Sequence, residues 1–167
     1  AGNHALNYTS DYTPTYTSEG KKIVFLGWSA EKLNVLSSAD NAAENANKII
    51  TSVNVTADGA TVYAVWSLDE DGNKIPDVFE ATVTYQIQHG YWFDAGTDGS
   101  VSTAPVTAQF TLYKKSGNQW VAQNPTLGNT IPTGRGGDEG YTADGWYKNS
   151  ETTATSIDAQ TLVTGDV

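Results

Sequence analysis

TVYAVWSLDEDGNKIPDVFEATVTYQIQ, residues 61–88, places two strand-like runs on either side of an acidic loop, and its reading decides the fold. In the second run, 82–88, Val83, Tyr85 and Ile87 share one face, and Thr82, Thr84, Gln86 and Gln88 share the other. That is a period of two, the mark of a half-buried strand. Similar runs occur at 22–28 (KIVFLGW), 49–55 (IITSVNV) and 61–67 (TVYAVWS). Later, 107–113 (TAQFTLY) and 119–122 (QWVA) read as a hairpin around Ser116-Gly117-Asn118. Only residues 30–48 could hold helix, since Ala recurs there and Asp40 could cap a turn or two. Asn at four of those positions argues for a long loop with one helical turn. The expected class is mainly β with little helix.

At 167 residues the chain is long enough for one domain or two small ones, each with a real core. An apolar content of 38%, with 16 Gly and abundant Thr, Asn and Ser, favours short strands and turns. A net charge of −10, with nine Lys plus Arg and no clustered basic patch, argues strongly against nucleic-acid phosphate as a partner and against an anionic membrane surface. Cysteine is absent, which removes disulfides, zinc thiolates and thiol nucleophiles. No apolar run reaches the roughly 18 residues of a membrane helix. No signal peptide precedes AGNHALNYT and no Met occurs, so a processed form or a fragment of a longer protein is expected.

Within the opening stretch, DEDGNKIPDVFE at 69–80 has the spacing of a ligand loop. Asp69, Asp71, Asn73, Asp77 and Glu80 fall at positions 1, 3, 5, 9 and 12, with the Ile75 carbonyl at position 7. Five carboxylates, counting Glu70, face one cation, Lys74, so ordering the loop without a counter-ion is unfavourable. Ca2+ takes six to eight oxygens with loose angular demands, so alternate groups of a curled loop can reach one ion. Gly72 frees the backbone for the curl, and Pro76 fixes φ beside the carbonyl that is needed. The competing reading is an acidic, solvated turn between domains. An EF-hand does not fit: the glycine stands at position 4 instead of 6, and no amphipathic helix flanks the loop. The segment resembles the D-x-D-G-N-x-I-P-D loop of thrombospondin type 3-like linker repeats. That resemblance implies Asp69, Asp71, Asn73 and Asp77 as ligands, with Glu80 added.

An internal echo organises the rest. GKKIVFLGW ending at Trp28 resembles GYTADGW ending at Trp146, and SVNVTADGATVYAVW after the first resembles AQTLVTGDV after the second. The second copy stops where a TVYAVW-like strand should follow. FLGW at 25–28 with TVYAVW at 61–66 resembles the Listeria–Bacteroides, internalin B-type repeat of bacterial surface proteins. VTYQIQHGYW, QFTLYKKSGNQWV and TIPTGRGGDEGYTADGWY resemble its companion module. The resemblance implies two small β-rich, β-grasp-like modules in tandem. The first is a repeat module at 1–67, followed by a calcium-binding acidic linker at 68–81. The second spans 82–167 and is truncated at its C-terminal strand. It implies no catalytic residues, an extracellular, cell-wall-attached setting, and neighbouring repeat modules of the same polypeptide as partners.

Five Trp and nine Tyr invite a carbohydrate-binding reading. Trp28, Trp66, Trp120 and Trp146 occupy patterned strand or Gly-Trp positions and read as core, each ring burying about 150–250 Å². Trp92, in HGYWFDAG at 89–96, is the ring best placed for exposure, although packing is favoured even there. His4 and His89 lie far apart, no nucleophile or zinc motif occurs, and TGRGGDEG at 133–140 leads to no helix. Asp94 and Asp98 read as turn residues, with a second, weak ion site as the lesser reading. The expectation is a non-catalytic stalk or spacer with a calcium-stiffened joint. The alternative is an adhesive module that binds host glycan or protein through the Trp92 and 133–140 loops.

Overall fold

Alternating sequence becomes short paired strands spread along the chain. The computed structural model describes residues 1–7, 16–18, 20–37, 41–93, 101–148 and 156–165, so Asp40, Asp94 and Asp98 lie outside the described residues. The strands are β1 (Gly2–Ala5), β2 (Tyr16–Ser18), β3 (Lys21–Ser29), β4 (Ser52–Val55), β5 (Tyr63–Leu68), β6 (Glu80–Tyr85) and β7 (Gly90–Phe93). They continue as β8 (Val101–Ser102), β9 (Val106–Thr111), β10 (Tyr113–Ser116), β11 (Gln119–Ala122), β12 (Arg135–Gly137), β13 (Trp146–Tyr147) and β14 (Ser156–Ile157). One short helix, α1 (Ala42–Asn47), lies in the segment where sequence allowed a helical turn. Its N-cap, Asn41, makes no side-chain cap bond, and a pair between exposed Glu44 and half-buried Lys48 at 2.8 Å spans it. The protein is mainly β, built from small sheets of two or three strands. These pairings establish that class without establishing a β-grasp.

The chain divides into two compact units, Ala1–Ala81 with Thr111–Gln123, and Thr82–Phe110 with Asn124–Val167. This grouping differs from a division at 68–81. The acidic loop and the hairpin after residue 111 both belong to the first unit, because both close over its core.

In that unit β3 runs between β2 and β5, and β1 pairs with β4. The β3–β5 register shifts between Phe25 and Gly27, leaving Leu26 as the extra residue of a bulge. Leu26 and Val65 are fully buried, with Val24 and Leu68 beside them. Gly27 has φ 151°, and a Cβ there would lie 2.6 Å from Cγ2 of Ile49. Only glycine fits that approach. Trp28 pairs with Ala64 of β5 and also bridges to Ile50, whose N–H donates to the Trp28 carbonyl at 2.8 Å. β5 is flanked on its other side by Leu36, which exchanges bonds with Trp66 and Leu68 at 2.9 and 2.8 Å. β10 and β11 form a tight hairpin, Ser116 facing Gln119 across Gly117-Asn118. The strand before this turn is 113–116, not 107–113: Leu112 interrupts the run, and the residues before it form β9, which pairs with β6. Phe79, fully buried, packs on Tyr113 and Trp120 at centroid distances of 4.9 and 4.7 Å, and the Trp120 indole N–H donates to the Leu26 carbonyl at 2.9 Å.

In the second unit β7 lies between β12 and β8, and β13 pairs with β14. Val83 and Tyr85 are buried and Ile87 is half-buried, as the alternation at 82–88 requires. The Tyr85 hydroxyl shares a hydrogen bond with Thr130 Oγ1 at 2.8 Å. Further along, Leu127 and Val163 are buried where the 125–128 segment bonds to 159–163, with Val163 N–H donating to the Pro125 carbonyl at 2.8 Å. The tryptophans reverse the expected order of exposure. Trp92 is buried, whereas Trp28, Trp66, Trp120 and Trp146 are half-buried. The reason is position: Trp92 sits in the middle strand of a three-stranded sheet, its ring stacks on Trp146 at 5.8 Å, and its indole N–H donates to the Ala104 carbonyl at 2.9 Å.

Candidate metal centre

The loop begins where β5 ends. Asp69 N–H donates to the Lys22 carbonyl at 3.0 Å, so the first acidic residue is fixed to β3. Pro76, Val78 and Phe79 are buried and anchor the other limb, with a 3₁₀ turn at Asp77–Phe79. Between these anchors the chain reverses through Gly72 and Lys74, both at positive φ (76° and 70°). A Cβ on Gly72 would meet Nζ of Lys22 at 2.5 Å.

This curl directs carboxylates inward. Oxygens of Asp69, Asp71 and Asp77 lie within 4.8 Å of one another, an arrangement that could hold a metal ion. Asp69 is only 5% exposed; its Oδ2 accepts the Lys74 N–H at 3.3 Å, while its buried Oδ1 has no hydrogen-bond partner. Asp77 accepts the Glu70 N–H through both oxygens, at 3.2 and 3.3 Å. Asn73 connects the remaining groups. Its side-chain NH2 donates to Asp71 Oδ2 and Glu80 Oε1, both at 2.9 Å, and its Oδ1 accepts the Ile75 N–H at 2.6 Å. Asp69, Asp71 and Asp77 are thus brought together directly. Glu80 and Ile75 join through Asn73, Ile75 by its N–H.

The electrostatics reflect crowding. Burial, first, raises the Asp69 carboxyl above the ordinary aspartate value, and the neighbouring Asp71 charge adds to it against the Lys74 N–H bond. Asp77 is raised by burial and then by the charges of Glu70, Asp69 and Asp71. Glu80 is raised by burial and then by Asp71, Asp77 and Asp69, with the Asn73 bond opposing. A buried carboxylate oxygen without a partner is costly unless a cation meets it. The donors are all oxygen, which suits a hard cation.

Sequence reasoning missed the two lysines of β3. Lys21 Nζ pairs with Glu70 at 2.7 Å, and Lys22 holds the loop through its carbonyl and lies over Gly72. The doublet opens KKIVFLGW in plain view, but nothing local says that strand 21–29 runs beside residue 69. Trp92, the residue singled out for ligand contact, is buried against Trp146 and presents no open ring face of the kind an adhesive loop needs. Among the described residues no helix is long and apolar enough to cross a membrane. Neither protein-family models, nor curated proteins, nor solved structures give a match to this chain.

Proposed function

We propose that the 69–80 loop binds Ca2+ and that the chain is a non-catalytic structural module, of the stalk or spacer kind, in a secreted or cell-wall-attached bacterial surface protein. The observation that carries the ion is Asp69 Oδ1, buried and unpartnered beside Asp71 and Asp77. Asp69, Asp71 and Asp77 would hold Ca2+ directly, with Asn73, Glu80 and the Ile75 carbonyl completing an oxygen shell of six to eight. The ion would supply only charge neutralisation. The chain's own residues do the rest: Pro76, Val78 and Phe79 fix one limb in the core, and the Lys22 carbonyl fixes the other. The chain leaves the first unit one residue after Ala81's neighbour Glu80, so an ion that fixes Glu80 also fixes the departing backbone. Neighbouring modules of the same polypeptide are the natural partners of such a device. The resemblance of FLGW and TVYAVW to internalin B-type repeats supports the surface setting.

Titration calorimetry of the full chain with Ca2+, with Mg2+ as comparison, tests the reading. Binding at the weak, extracellular end of the range, near 10⁻⁴ M, is expected, and Asp69→Asn should abolish it. No heat with Ca2+, together with a melting temperature unchanged by chelator, removes the ion from the account.

A further inference from the structure

We propose that Asn73 is a latch on the acidic loop: the NH2 of its side-chain amide holds Asp71 and Glu80, and Ca2+ takes its full shell only when that amide turns to present its oxygen. The latch rests on the calcium reading of the same loop and adds a control on its affinity. By spacing, Asn73 stands at position 5, where an oxygen ligand is needed. In the loop the other end of the amide points at the acids. Nδ2 donates to Asp71 Oδ2 and Glu80 Oε1, both at 2.9 Å, while Oδ1 accepts the Ile75 N–H at 2.6 Å. The two ends are told apart by their partners: an ionised carboxylate only accepts and a backbone N–H only donates, so nitrogen must face the acids and oxygen must face Ile75.

Asn73 also closes Asp71 from the backbone side. Its own N–H donates to Asp71 Oδ1 at 3.0 Å, so both oxygens of Asp71 are engaged by this one residue. The other two members of the aspartate group are held more loosely. Asp77 shares the single Glu70 N–H between its oxygens at 3.2 and 3.3 Å, and Asp69, only 5% exposed, keeps Oδ1 buried with no partner. The oxygen that calls for a cation therefore belongs to the same group as Asp71, whose oxygens are already taken.

Hydrogen bonds to ionised carboxylates are charge-assisted and among the stronger ones. A cation drawn toward Asp71 and Glu80 meets the hydrogens of the Asn73 NH2, which carry charge of its own sign. Half a turn about the Cβ–Cγ bond brings Oδ1 to where Nδ2 stood and gives the shell its oxygen, but it breaks the bonds to Asp71, Glu80 and Ile75. Those losses oppose binding, so the latch weakens the site. At low Ca2+ the same bonds keep two like charges, Asp71 and Glu80, on either side of a donor instead of facing each other.

Asn73→Ser in the full chain tests this, because a hydroxyl keeps an oxygen for the ion yet has one hydrogen and cannot bridge both acids. By titration calorimetry it should bind Ca2+ about threefold to tenfold more tightly than the wild type, and in chelator its melting temperature should fall by roughly 2–4 °C. Asn73→Ala, which loses the oxygen as well, should melt equally early in chelator and gain no affinity. In the 15N-labelled wild type, amide hydrogen exchange at Ile75 should quicken about threefold or more as Ca2+ saturates, while exchange in β5 slows. Unchanged or weaker binding by Asn73→Ser, with the wild type still binding, overturns the latch and leaves the calcium site standing. So does exchange at Ile75 that slows or stays constant, as does an equal gain in Asn73→Ala, which would mean that no oxygen of residue 73 joins the shell. No Ca2+ heat in the wild type overturns both the latch and the site.

Discussion

The two Gly-Trp sites share a backbone and differ in what surrounds it. At the first, the residue before glycine is Leu26, fully buried in the bulge; at the second it is Asp144, exposed. A Cβ on Gly27 would strike Ile49 at 2.6 Å, whereas on Gly145 the nearest atom would be 3.8 Å away, in the Tyr147 ring. One conformation, φ 151° at Gly27 and 156° at Gly145, therefore serves in the central strand of a three-stranded sheet in one unit and, among the described residues, in a two-stranded pairing in the other. The glycine's φ is set by the local chain, and packing is added by whichever strand arrives beside it.

Substitution should expose that difference most strongly at the residue before glycine. Leu26→Ala removes a fully buried side chain and should cost about 2–5 kcal/mol. Asp144→Ala should change stability by less than about 0.5 kcal/mol. Chemical denaturation of the two variants measures both, and similar losses would break the comparison. Next comes glycine itself. Gly27→Ala combines a strained φ with a clash against a β-branched side chain, and roughly 3 kcal/mol is expected. Gly145→Ala meets only the φ and should lose about 1–2 kcal/mol.

Much of this was legible in sequence, for identifiable reasons. Alternation at 82–88 fixed the buried face, because a side chain's face depends only on its own strand. Gly117-Asn118 marked a tight turn, and a turn is local. The acidic loop was readable because its ligands come from twelve consecutive residues. What sequence could not supply was lateral order. Nothing within 107–113 says that Leu112 breaks the run and that the two parts pair with different strands. Period two gives a residue's face but not whether its strand is central, so Trp92 read as the tryptophan best placed for exposure, with packing still favoured, and is the most buried of the five. The contribution of Lys21 and Lys22 to the loop was hidden for the same reason.

An ion should widen the gap between the two sites, since β5 runs directly into Asp69 and β13 has no such neighbour. With a Kd near 10⁻⁴ M, millimolar Ca2+ should add about 1–2 kcal/mol. For a chain of this size that raises the melting temperature roughly 2–8 °C. Hydrogen exchange should slow in β3 and β5 and stay unchanged in β13 and β14. Equal protection of both would mean that the ion acts elsewhere than on the 69–80 loop.

The smallest effect is in pH, and its sign separates the metal-free from the loaded protein. Asp69, Asp77 and Glu80 are all held above their ordinary values, with burial the leading cause. In the metal-free chain the folded state therefore binds protons more tightly than the unfolded state, and stability falls as pH rises through the raised pKa values. The stabilisation is complete below the ordinary carboxylate range, near pH 4, and is lost above the folded values. Calcium reverses the sign, because it binds the deprotonated carboxylates and protons compete with it. Melting temperatures between pH 4 and 7 should therefore rise toward acid in chelator and fall toward acid in calcium, the two curves converging at the acid end. Asp69→Asn should flatten the calcium curve. It should also raise stability in chelator at neutral pH, since it removes a buried charge whose Oδ1 has no partner.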